Sequence, residues 1–161
     1  MRKITEYSKK KASEHVYYEG WMLYENIVAL MDIGNEKVKE RNVLLDSFAV
    51  HARNLFNFLY PPRSIKPDDI IVFDYIDNKS LYLEKRTKKN DLKFIIKKAD
   101  KQVAHLTYLR NKYSLKRKEW QFIKIGQMFH ISLRAFYEAM PKHRQQWKYF
   151  NELKKILDVF S

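Results

Sequence analysis

Only three glycines, at 20, 34 and 126, and four prolines, at 61, 62, 67 and 141, punctuate this chain of 161 residues. Glycine and proline turn and stop regular structure, so their scarcity favours long helices over a sandwich of many short strands. Hydrophobic residues make up 45% and aromatic residues 15%, enough for a sizeable core in a single domain over residues 1–161. There is no cysteine. Disulfides and thiolate metal sites are thereby excluded, and a cytoplasmic setting is expected.

Apolar spacing of three and four marks the helices. Tyr17, Trp21, Tyr24, Ile27 and Met31 predict one over about residues 13 to 31, broken by Gly34 and Asn35. Leu44, Phe48, Ala52, Leu55 and Leu59 predict a second over about 36 to 60, stopped by Pro61 and Pro62. Further stripes predict helices over about 91 to 113, 118 to 140 and 141 to 159. Residues 61 to 90 read as an irregular segment in which Ile70–Tyr75 forms a short helix or packed loop, since a lone strand has nothing to pair with. The expected fold is all-α: an antiparallel bundle of about five helices with one long irregular loop over about 61–90.

The second predicted helix holds an unusual insertion. In FAVHARNLFNFLYPP, residues 48 to 62, His51, Arg53 and Asn54 stand among apolar neighbours. On a helical wheel His51 shares an edge with Phe48 and Leu55, Arg53 leans toward Asp46 and Asn57, and Asn54 lies between. The three do not converge unaided, so any joint site needs a group from another helix. One supplier is KQVAHLTYLRN, residues 101 to 111, where His105 and Arg110 again sit in an apolar-periodic helix. The competing reading makes both pairs structural, each polar group satisfied by a partner in the core.

Other chemistries lack their residues. The five histidines have no metal-ligand spacing, and no phosphate-cradling glycine loop or G-x-S-x-G serine exists, so no metal and no cofactor is expected. The N-terminal stretch MRKITEYSKKKASEH carries no signal-peptide core, and no run of about 18 apolar residues occurs, so no membrane partner is expected. The formal charge of +13 attracts polyanions, and RNA or another nucleic acid is the expected one. The aromatic-rich helical surface also suggests a homodimer or a partner protein.

HARNLFNFLY together with QVAHLTYLR, in a small basic helical chain, resembles the HEPN superfamily of prokaryotic defence and toxin proteins. The resemblance implies a helical bundle, commonly dimeric, and often a metal-independent ribonuclease in a toxin–antitoxin context. The family signature is an Arg, usually followed by a polar residue, then a His after four to six intervening residues. It implies that the Arg holds the scissile phosphate while the His manages the proton of the attacking 2′-hydroxyl. Arg53-Asn54 matches the first half, but positions 58 to 60 are Phe58, Leu59 and Tyr60. A ribonuclease here would need His51 or His105 in place of the missing histidine, with Arg53, Asn54 and Arg110. The alternatives are a non-catalytic module that binds nucleic acid or a partner protein through its basic surface, and a small-ligand domain whose pocket holds the two histidines.

Overall fold

Thr5 starts the first helix by accepting a hydrogen bond from the Ser8 amide at 3.1 Å, which satisfies one of the donors that a helix start leaves open. The computed structural model describes residues 4–99 and 120–159, and every regular element among them is helical. These are α1 (Glu6–Asp32), α2 (Val38–Leu59), α3 (Lys79–Lys85), α4 (Lys89–Ala99), α5 (Phe122–Ala139), α6 (Lys142–Gln145) and α7 (Lys148–Val159), with one 3-10 turn at Val72–Asp74.

Helices α1 and α2 run antiparallel, as their cross-contacts record. Arg41 Nη1 donates to Leu30 O at 3.2 Å, Ser47 Oγ accepts from Asn26 Nδ2 at 3.0 Å, and Asn54 Nδ2 donates to Glu19 at 3.0 Å. One residue number falls as the other rises. The inner face of α1 buries Val16, Gly20, Leu23, Ile27 and Leu30, alternating steps of four and three. Phe48, Ala52, Leu55 and Leu59 of α2 answer it. Helix α5 adds Ile125, Phe129, Leu133 and Phe136, and α7 adds Phe150, Leu153 and Leu157.

Pro61 and Pro62 end α2 as expected, and side chains take over its last carbonyls. Tyr82 Oη donates to Leu59 O at 2.6 Å, Arg86 Nη1 reaches the same oxygen at 3.2 Å, and Lys89 Nζ reaches Tyr60 O at 3.2 Å. The Arg86 guanidinium also lies 4.7 Å above the Tyr60 ring.

The first helix begins at Glu6 rather than near residue 13, because its opening turns are solvent-facing and carry no apolar stripe. The segment over 61–90 is more ordered than a loop. It contains the 3-10 turn and then α3, capped by Asn78 Oδ1 on the Leu81 amide at 3.0 Å. The Asp77 and Asn78 amides both donate to Ala139 O, at 3.2 and 3.3 Å. The final helix divides in two at Gln146 and Trp147. Of the helix expected over 91 to 113, α4 is described to Ala99.

Arg144 of α6 ties three segments together. Its Nε and Nη2 grip both oxygens of Glu6, at 3.0 and 2.8 Å, and Nη1 donates to Tyr75 O at 2.8 Å and to Asp77 at 3.4 Å. The guanidinium is buried, and its forked donors suit this bidentate arrangement. It secures the start of α1 against the 60–78 connection.

Candidate functional site

The group that completes the His51 cluster comes from α1. Glu19 Oε2 stands 2.7 Å from His51 Nδ1, and Glu19 Oε1 accepts from Asn54 Nδ2 at 3.0 Å. His51 and Asn54 are three apart, so one carboxylate spans both from the facing helix. The His51 side chain is buried, and the Tyr18 ring meets it edge-on with centroids 5.5 Å apart. A carboxylate acceptor at Nδ1 calls for a proton on that nitrogen, and in the tautomer that carries its proton there Nε2 is the acceptor. Such a ring, oriented by a carboxylate, is the arrangement a general base needs.

Arg53 is half-buried on another row of α2, and neither the Glu19–His51 nor the Glu19–Asn54 bond involves it. Glu19 thus brings His51 and Asn54 together, while His105 and Arg110 lie outside the described residues. Beside the cluster is a cavity of about 170 Å³, walled by His15, Glu19, Asn54, Leu55, Phe58 and Ile70. Its charged wall is acidic, which disfavours a phosphate diester unless a cation is added.

Sequence reasoning missed Glu19. Its signal was available: Glu19 falls between Val16 and Leu23 on the row that α1 turns inward. An acid on a core-facing row calls for a partner, and the antiparallel register of α1 and α2 names His51.

A second histidine lies at the α1–α5 seam. His130 Nδ1 is 3.3 Å from Tyr24 Oη, and Arg134 Nε reaches His130 Nε2 at 3.4 Å. Burial and the Arg134 charge both push the imidazole below its ordinary pKa, so it is held neutral with its proton on Nδ1. Burial likewise raises the Tyr24 phenol. This pair walls an apolar groove of about 700 Å³ between Ile27, Val28 and Met31 of α1 and Ile123 and Ile131 of α5. The groove closes tightly at Gly126, where a Cβ would come within 2.9 Å of Ile27 Cδ1. It holds His130 and not His51.

Among the described residues no group of three His, Asp or Glu side chains is placed to hold a metal ion, and no helix is long and apolar enough to cross a membrane. The charge, by contrast, is strongly localised. Thirteen of the 32 basic residues but only two of the 19 acidic ones fall between residues 85 and 118, so that segment carries +11 of the +13. The rest of the chain, including the His51 cluster, is close to neutral. Compared with known proteins, the chain matches no family model, no curated protein and no solved structure.

Proposed function

We propose that this chain is a HEPN-like helical module that binds nucleic acid through its cationic surface, with the His51–Glu19–Asn54 cluster fastening α1 to α2. The observation that carries this reading is the separation, along the sequence, of the charge-rich segment from the residues of the His51 cluster. A ribonuclease of the family's kind needs a cation on the scissile phosphate beside its histidine. Here the histidine is paired with a carboxylate, Arg53 stands on another row, and +11 of the charge lies in residues 85–118. Phosphate contacts of that kind supply affinity without chemistry, and they weaken steeply with salt. The test is titration of labelled RNA at several salt concentrations, with the intact RNA recovered afterwards. Salt-sensitive binding without cleavage is the expected result, and no binding at low salt would refute the reading.

A second reading has one specific observation in its favour. The His51–Glu19 contact at 2.7 Å orients an imidazole whose Nε2 can accept a proton. Under that reading the chain is a metal-independent endoribonuclease. Incubation with structured and single-stranded RNA in EDTA separates the two: cleavage lost on both His51→Ala and Arg53→Ala substitution would favour the enzyme.

A further inference from the structure

The fold sorts the cations of residues 85 to 98 into two groups. Lys85 pairs with Glu138 at 2.7 Å, and Arg86 and Lys89 cap the carbonyls that end α2. Lys98 packs over the Trp120 ring at 4.6 Å. These four are engaged within the protein. Lys88, Lys93 and Lys97 are exposed, and none is in an ion pair with a described residue. Lys93 and Lys97 stand one helical turn apart on the same face of α4, and Asp91 is the single acid of that helix.

The opposite face of α4 is spent on the core. Leu92, Ile95 and Ala99 are buried where the helix packs on α2. Those three apolar residues are therefore not available to a lipid surface, although the composition of α4 is that of a basic amphipathic helix. One aromatic ring remains on the cationic side. Phe94 adjoins Lys93, precedes Lys97 by one turn, and is 43% exposed. A large apolar ring left in water within a lysine row fits the combination by which single-stranded nucleic acids are held: cations along the backbone and a flat platform for an unstacked base. A duplex keeps its bases stacked inside and offers nothing to such a ring.

From this we infer that Lys88, Lys93, Lys97 and Phe94 form a docking track for single-stranded nucleic acid, an inference that rests on the nucleic-acid-binding reading above. Lysines bind the phosphates and the Phe94 ring stacks on a base. The track lies on α4 and not at the His51 cluster.

The experiment is fluorescence anisotropy with a labelled single-stranded oligonucleotide, a duplex of the same length, and anionic phospholipid vesicles as competitor. A Lys88→Glu/Lys93→Glu/Lys97→Glu variant is compared with a Lys10→Glu/Lys11→Glu/Lys142→Glu variant, which makes the same charge change at exposed lysines elsewhere. Loss of three phosphate contacts lowers the slope of log affinity against log salt by about 2 and weakens binding about tenfold or more, while the control stays close to wild type. Phe94→Ala weakens single-strand binding about five- to a hundredfold and spares the duplex, and Phe94→Tyr restores it. Equal loss in both lysine variants, an unaffected Phe94→Ala, or full competition by vesicles each overturns the track while leaving nucleic-acid binding itself standing. A wild type that binds no strand at all overturns both.

Discussion

The carboxylate of Glu19 lies 2.7 Å from Nδ1 of His51, joining a residue near the middle of α1 to one on α2 across the antiparallel seam. This contact explains why a core helix tolerates an imidazole. The ring is buried, yet its Nδ1 is satisfied, and the amide of Asn54 shares the same acceptor. A buried polar group that is hydrogen-bonded costs little, and one left without its partner costs about 1–3 kcal/mol.

Glu19→Ala therefore destabilises the protein by about 1–3 kcal/mol, since it strands the buried His51, whereas the exposed Asn54 amide turns to water. In a double-mutant cycle with His51→Ala, chemical denaturation gives a coupling of about 0.5–3 kcal/mol. Additive single effects would show that the contact contributes nothing to stability.

Arg144 and Glu6 set an acid limb. The Arg144 hydrogen bond, helped by Lys9, holds the Glu6 carboxyl at about 2, well below its ordinary 4.5. The folded value is the lower one, so the contribution is full above about 4.5 and fades as pH falls toward 2. Glu6 is half exposed, which limits the size of the effect. Glu6→Gln flattens the loss of stability over that window in a pH series of thermal melts. Arg144→Ala is more damaging, by about 2–3 kcal/mol, because it also abandons the buried Tyr75 carbonyl.

His130 acts in a different window. Its folded pKa lies below 6.5, so the unfolded chain takes up the proton first as pH falls. Stability consequently declines as pH drops through about 6.5, and His130→Gln reduces that decline. Titration of the imidazole carbons by NMR locates the folded pKa directly, and a value above 6.5 would contradict the Tyr24–His130–Arg134 arrangement.

Phe136 tests the core. Its ring meets Phe58 at 5.1 Å and Phe150 at 5.5 Å, both edge-on, and is fully buried. Phe136→Ala leaves a cavity that α2, α5 and α7 cannot all close, and costs about 3–5 kcal/mol in denaturant titration. A smaller cost would mean that the neighbouring rings relax into the space.

Helix α2 was legible almost to the residue: its stripe from Leu44 to Leu59 and the Pro61-Pro62 stop are local signals. The start of α1 was not, because Tyr7, Lys10 and Lys11 face water and leave no periodic trace. Helix α3 escaped for another reason. It has only seven residues, too few for a periodic pattern, and is held by the burial of Tyr82 and the contact of its hydroxyl with Leu59 O.

The candidate site divides along the same line. That His51 and Asn54 share a region of one helix, and that Arg53 leans away, follows from helical spacing alone. That Glu19 is the group between them depends on the register of α1 against α2, which packing along the whole seam decides. The sequence by itself determined an all-helical chain, the bounds of α2 and a large positive charge, because periodicity, proline and composition act locally. Only the tertiary structure decided which cations are engaged with helix ends and which of those in residues 85 to 98 remain exposed and in no ion pair with a described residue, because that depends on where the end of α2 meets α3 and α4.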